Sequence, residues 1–207
     1  MKVLLLNGSP NEAGCTFTAL KEIAQTLAEF HIDSEILQLG KQPIRDCIGC
    51  GACGSRNGVC VFEDDPVNEL IGKAAEADGF VFGSPVYYAH ANGRVLSVLD
   101  RAFYAGGSAF THKPGAAVVS ARRAGTTAAL DDLNKYFMIN QMPVVSSTYW
   151  NMVHGNTPEE VAQDLEGLQT MRNIASNMAW LLKCIEAGKE NGIEAPVNSK
   201  VATNFIR

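Results

Sequence analysis

Lys2-Val-Leu-Leu-Leu-Asn7-Gly-Ser-Pro-Asn-Glu-Ala-Gly14-Cys-Thr-Phe-Thr-Ala-Leu20 is the stretch whose reading decides the fold. Val3–Leu6 is a short unbroken apolar run, the pattern of a strand covered on both faces. Gly8, Ser9, Pro10 and Gly14 break that run into a loop. From Phe17 onward the apolar residues fall at Leu20, Ile23, Ala24, Leu27 and Ala28, which is helical spacing. A buried strand therefore feeds a helix N-terminus through a small, hydroxyl-rich loop. The free N–H groups and positive dipole end of such a terminus attract phosphate. No Lys or Arg lies between Gly8 and Thr18, so the G-x-x-x-x-G-K-[ST] loop is excluded. With only Gly8 and Gly14 present, the G-x-G-x-x-G dinucleotide fingerprint fails as well. Two readings remain. One is a neutral cradle for a phosphate monoester, built from the hydroxyls of Ser9, Thr16 and Thr18 with backbone N–H groups. The other is an ordinary strand-to-helix connection capped by Thr16.

The same alternation continues outward from this unit. Further strands are expected at Ser34–Leu39, Phe80–Ser84, Ala116–Ser120 and Pro143–Ser146, with helical patterns between them. Asp64-Asp65-Pro66 opens one helix. Val95–Phe103 and Leu130–Phe137 carry two more, and a long final helix is expected from Pro158 to about Ala187. Five strands alternating with helices predict an α/β doubly wound parallel sheet of order 2-1-3-4-5 with helices on both faces. That order puts a ligand at the C-terminal ends of the first and third strands. The third ends in Gly83-Ser84-Pro85-Val86-Tyr87-Tyr88, and the fourth in Ser120-Ala121-Arg122-Arg123-Ala124-Gly125. A flat ligand can stack on the tyrosine loop while backbone groups after the fourth strand read its polar edge; half-buried packing is the alternative for the tyrosines. A phosphoacceptor site of the response-regulator kind is disfavoured, because Asn7-Gly8-Ser9 and Ser84-Pro85 stand where acidic residues would be needed.

The chain's 207 residues, 46% hydrophobic and 19% charged, fit one domain over 1–190 with a cysteine-rich insertion at 47–60 and a tail at 191–207. A net charge of -5 argues against nucleic acid as a partner. The apolar stretches are too short to span a bilayer. Met1-Lys2 runs straight into a strand, so no secretory leader and a cytoplasmic location are expected. Structural disulfides are rare in that compartment.

The chain resembles the NADPH-dependent FMN reductases of the flavodoxin-like superfamily, and in particular the iron–sulfur flavoproteins. The residues that carry the likeness are Gly8-Ser9-Pro10 with Thr16, Gly83-Ser84-Pro85-Val86-Tyr87 with Leu99-Asp100-Arg101, and Cys47-x2-Cys50-x2-Cys53-x6-Cys60 followed by Asp64-Asp65. The resemblance covers roughly residues 1 to 185 and implies FMN as cofactor and NAD(P)H as co-substrate. It places Ser9, Asn11, Cys15, Thr16, Phe17 and Thr18 at the FMN phosphate and Pro85, Val86, Tyr87 and Tyr88 against the flavin ring. Ser120, Ala121, Arg122 and Gly125 then line the pyrimidine edge. Asn11 stands where the family often has Arg, and Cys15 where it often has Asn. At a helix N-terminus the Cys15 thiol can have a lowered pKa; the alternative is a small filler.

Four of the six cysteines lie within Cys47–Cys60, while Cys184, alone on the last helix, reads as core. Zinc takes C-x2-C pairs set further apart. A [4Fe–4S] cluster fits the spacing better, with Cys47, Cys50, Cys53 and Cys60 as ligands. An empty cysteine-rich loop is the other reading. A cluster is expected to lie beside the phosphate loop, because the second strand neighbours the first.

Three functional classes follow. The first is an oxidoreductase passing hydride from NAD(P)H through FMN to a flavin, quinone, nitro or azo compound, with no dedicated catalytic side chain and with Trp150, Asn151 and His154 as candidates for the acceptor pocket. The second is an iron–sulfur flavoprotein exchanging electrons with a redox protein. The third is a binding module without redox activity. Phe103, Tyr104, Phe110, Phe205 and Ile206 are apolar residues expected at loops and the terminus. They predict a homodimer or homotetramer, or else fold back onto the chain's own sheet.

Overall fold

Val3, Leu4, Leu5 and Leu6 are fully buried, as an unbroken apolar run requires of a strand covered on both faces. They form β1 (Lys2–Asn7) at the centre of a computed structural model that describes residues 1–203 and 205. The chain continues through α1 (Cys15–Glu29), β2 (Asp33–Gln38), α2 (Val67–Glu76) and β3 (Gly79–Tyr87). A two-residue β4 (His90–Ala91), α3 (Gly93–Gly106), β5 (Gly115–Ala121) and α4 (Thr126–Ile139) follow. The last elements are β6 (Met152–His154), α5 (Pro158–Val161) and α6 (Leu165–Glu190).

The parallel strands lie in the order β2-β1-β3-β5-β6, which is the expected doubly wound 2-1-3-4-5. β4 adds an antiparallel arm to the end of β3, Val86 opposite Ala91 and Tyr87 opposite His90. Successive side chains of a strand point to opposite faces. Leu4, Leu6, Phe80 and Phe82 accordingly meet α2, α3 and α4 on one side. Val3, Leu5, Val81 and Val118 meet α1 and α6 on the other.

Several expectations need correction. The strand expected at Pro143–Ser146 makes only one bridge, Val144 to Gly115. The chain then leaves the sheet, and pairing resumes at Met152–His154 beside Val119–Ala121. Local polar bonds hold the excursion: Ser147 Oγ lies 2.8 Å from Asn151 Oδ1, and Asn151 Nδ2 donates to the Val145 carbonyl. The single long helix from Pro158 is two helices. Asp164 breaks it by accepting the Gly167 N–H at 2.9 Å and the His154 N–H at 2.7 Å, capping α6 and tying it to β6. Leu165 is consequently 75% exposed rather than packed. Cys184 is exposed, on the outer side of α6, and is not core. Phe110 is buried, and Phe103 stacks on it at 4.5 Å, so both fold back on their own sheet.

Candidate functional site

The phosphate-loop candidate begins at a close approach of backbone. The Gly8 N–H donates to the Gly83 carbonyl at 2.8 Å. A Cβ on Gly8 would lie 2.6 Å from that oxygen, so only glycine lets the loop leave β1 this tightly. Asn7, buried at the end of β1, accepts the Ser9 N–H at 3.1 Å and pairs with Gln38 of β2. Gln38 in turn donates to the Ser9 carbonyl at 2.7 Å. Asn92, buried before α3, donates to the Gly8 carbonyl and caps α3 through the Arg94 N–H. Three amide side chains from three segments thus fix the loop. Only Asn92, an N-cap residue before an apolar helical pattern, had a local sequence signal.

No side chain caps α1, so the first-turn N–H groups of Cys15, Thr16 and Phe17 keep their donor capacity. Thr16 is buried, and its hydroxyl pairs with Ser120 Oγ at 2.8 Å. Thr18 Oγ1 donates back to the Gly14 carbonyl at 3.2 Å. The Ser9 hydroxyl accepts the Asn11 N–H at 3.1 Å. Asn11, Gly14 and Cys15 line a cleft of about 510 Å³ with Asn156, Thr157 and Lys41. The loop has no cation of its own; Lys41 lines the cleft from the segment after β2, out of reach of local reading, and faces it together with Glu12 of the loop. Burial pushes the Cys15 thiol up, and the carboxylates of Glu160 and Glu159 add to the rise. The Cys15 Sγ lies 3.6 Å from the Gly155 carbonyl.

Pro85, Val86 and Tyr87 end β3 and lead into the β4 arm, whose tip is Tyr88. Tyr88 takes a positive φ of 62° and is fully exposed, while Tyr87 is half-exposed. The loop after β5 packs on this arm at Gly125, where φ is +88° and a Cβ would lie 2.7 Å from Val86 Cγ1. Arg122 and Arg123 project from that loop into solvent, while Ser120 and Ala121 are buried. Phosphate-loop, ring-platform and pyrimidine-edge candidates therefore form one contiguous region at the C-terminal end of the sheet.

The acceptor-pocket candidates do not come together. His154 lies at the end of β6, its Nε2 3.1 Å from the Arg123 carbonyl. Trp150 and the buried Asn151 belong instead to a separate groove against Thr127, Leu130 and Asn134 of α4.

Cys47, Cys50, Cys53 and Cys60 line one cavity of about 480 Å³ with Ile48, Phe62, Asp100, Arg101 and Tyr104. The cavity sits against the middle of α3, not beside the phosphate loop. Arg94 near the start of α3 donates to the carbonyls of Lys41 and Gln42, and Arg101 lies about 10 Å further along at helical rise. Asn68 fixes the return of the loop: it accepts the Cys60 N–H at 2.8 Å and donates to the Cys60 carbonyl at 3.1 Å. Arg101, nearly fully buried, donates from Nε to Cys60 Sγ at 3.3 Å and forms an ion pair with Asp65. Among the described residues, no three Cys, His, Asp or Glu side chains converge tightly enough for a single metal ion. A zinc ion draws its sulfurs to about 2.3 Å, whereas a [4Fe–4S] cube takes its thiolates at separate corners. Four cysteines spread around one cavity suit the larger body, and Gly49 and Gly51 on either side of Cys50 take the positive φ that lets the chain wrap it.

No helix among the described residues is long and apolar enough to cross a membrane. The sequence signature of the NADPH-dependent FMN reductases matches residues 1–157. An iron–sulfur flavoprotein of Methanocaldococcus jannaschii is 31% identical over 194 residues, covering 90% of this chain and 100% of that one. One from Archaeoglobus fulgidus is 32% identical over 188 residues, covering 88% of this chain and 92% of that one. In structure, the chain is similar to a flavodoxin from the domain Archaea, with a TM-score of 0.59 at 14% identity, covering 88% of this chain and 99% of that one.

Proposed function

The chain belongs to the NADPH-dependent FMN reductase family, an FMN-dependent oxidoreductase of flavodoxin-like fold, and from that premise we propose that it takes hydride from NADH or NADPH and delivers the electrons to an acceptor. Hydride and electron transfer are the chemistry the flavin supplies when bound. The protein's part is to bind and orient. Ser9, Asn11, Thr18 and the first-turn N–H groups of Cys15, Thr16 and Phe17 hold the phosphate, with Lys41 adding charge. Thr16 contributes its N–H, and its hydroxyl locks α1 to Ser120. Pro85, Val86, Tyr87 and Tyr88 flank the ring. Ala121 and Gly125 offer backbone groups to its pyrimidine edge, and the solvent-facing Arg122 turns in to add positive charge when the ring is bound. The observation that carries this reading is the uncapped N-terminus of α1, whose preceding loop and first residue line a cleft and whose Thr16 hydroxyl meets Ser120 at the end of β5.

A second reading, an iron–sulfur flavoprotein that passes electrons to a redox protein, is favoured by the shared cavity of Cys47, Cys50, Cys53 and Cys60. In it the four thiolates hold a [4Fe–4S] cluster, which supplies one-electron transfer when bound. All six cysteines are free.

Protein purified without oxygen should carry FMN near one per chain, measured by release and chromatography, and its flavin absorption should bleach on mixing with NADPH or NADH. Failure to retain added FMN at micromolar concentration sinks the first reading. Bleaching followed by turnover of a quinone or nitro compound supports a small acceptor. Bleaching without such turnover, with iron and sulfide bound, selects the carrier.

A further inference from the structure

Arg101 is the largest fully buried side chain among the described residues, and it lines the cysteine cavity. A buried guanidinium needs every donor answered. Nη1 meets Asp65 and the Arg45 carbonyl, Nη2 reaches the Phe62 carbonyl at 3.4 Å, and the Phe62 ring lies 5.1 Å away. One donor, Nε, is turned to Cys60 Sγ at 3.3 Å. The side chain therefore closes the returning segment 60–65 onto α3 and presents a fixed positive charge to one cysteine sulfur.

Other charges near the loop act more weakly. Arg45 pairs with Asp64, and Arg56 with Glu63, and all four side chains are substantially exposed. Water and salt screen such pairs. Arg101 and Asp65 are 1% and 4% exposed, so their fields reach the cavity through low dielectric.

Resting on the cluster reading of the four cysteines, we propose that Arg101 is a positioning residue that sets the cluster's reduction potential through the Cys60 sulfur. One-electron reduction adds negative charge to a cluster and its thiolates, and no bond forms or breaks. An N–H donor and a buried cation at one thiolate stabilise that added charge, raising the potential. Asp65 is held on a different nitrogen, Nη1, and works in the opposite sense by partly cancelling the guanidinium.

The two partners predict shifts of opposite sign. Wild type, R101M, R101K, D65N and the double variant R101M/D65N are reconstituted anaerobically with iron and sulfide, and the cluster midpoint is measured by spectroelectrochemical titration. At a fixed potential the reduced-to-oxidised ratio in R101M should fall roughly tenfold, a shift of about -59 mV for a one-electron couple. D65N should shift the midpoint upward, and R101K, which keeps the charge but not the planar donor, should fall between wild type and R101M. Bound FMN serves as the fold control. If R101M keeps FMN but loses iron, R101K against D65N still gives the sign test. A loaded wild type whose R101K and D65N midpoints match it, or move together, overturns the Arg101 assignment alone. Wild-type protein that takes up no iron and sulfide overturns the cluster reading, and the assignment with it.

Discussion

Cys15 occupies the first position of α1, where a carboxylate would be welcome to the helix and unwelcome to a phosphate. An acidic group there interacts favourably with the dipole, about 0.5 kcal/mol. The same charge a few ångströms from an FMN phosphate costs about 1 to 4 kcal/mol, depending on the effective dielectric. Burial and the Glu160 and Glu159 carboxylates oppose the dipole gain, so Cys15→Asp should cost the unliganded protein no more than about 1 kcal/mol, while FMN affinity falls roughly five- to several-hundred-fold. Urea denaturation and flavin titration measure the two effects separately, and a parallel loss of both would move the phosphate away from α1. This residue also shows what local sequence can convey. Ser9 and Gly14 announce a strand-to-helix loop because their contacts with Asn7 and Asn11 lie within a few positions. The partners that finish the site lie far along the chain: Gln38 and Asn92 for the loop, Lys41 for the cleft, Asn68 and Arg101 for Cys60. None of these carries a local pattern for its long-range contact, since each acts through one hydrogen bond or one charge that only the fold delivers.

Elements buried on both faces were legible, and so was the edge strand β2, expected at Ser34–Leu39 and found at Asp33–Gln38; the other edge was not. β1, β3 and β5 read as apolar runs because nothing but the core surrounds them. The broken edge strand is different. Pro143–Ser146 has strand-like composition, but Ser147 and Asn151 offer the backbone local partners, and the ladder resumes only at Met152. Asp164 is an N-cap signal inside an otherwise helical pattern, and it ends one helix and begins another. The opposite edge, β2, is held by charge. Glu35 lies 2.7 Å from Lys2 Nζ on β1 and 2.6 Å from Lys73 Nζ on α2. Hydrogen bonds from Lys2 and then Lys73 hold its carboxyl below the usual range. A depressed folded pKa contributes stability that is present above the unfolded value, about 4.3, and is lost as pH falls through the folded pKa. Glu35→Gln should thus destabilise by about 0.5 kcal/mol at neutral pH, the scale of a partly exposed pair. The difference from wild type should shrink as the solution is taken below about pH 4. Denaturation curves at neutral and acidic pH test this, and an undiminished gap in acid would assign the effect to packing instead.

At the scale of the molecule, the question is what covers the mouth of the cysteine cavity. The expectation of self-association rested on Phe103, Tyr104, Phe110, Phe205 and Ile206. Phe103 and Phe110 are taken up by the aromatic cluster under α3, and Ile206 lies outside the described residues. Phe205 is 92% exposed, and so is most of Tyr104, at 78%. Tyr104 is the informative one, because it shares the cavity rim with Ile48, itself 63% exposed, and Val61. Apolar side chains gathered around an opening are costly to leave in water and mark a contact surface. Tyr149 and Trp150 form a second exposed pair, on the broken edge. A homodimer that closes over Tyr104 would cover this patch and shield the cavity from solvent, satisfying both demands with one two-fold interface. The expected solution species is therefore larger than the 22.2 kDa chain, and Tyr104→Glu should shift it to monomer in light scattering at micromolar concentration. Trp150→Glu should leave the mass unchanged. The reverse pattern would transfer the interface to the open edge at β6, and a wild-type monomer would remove it altogether.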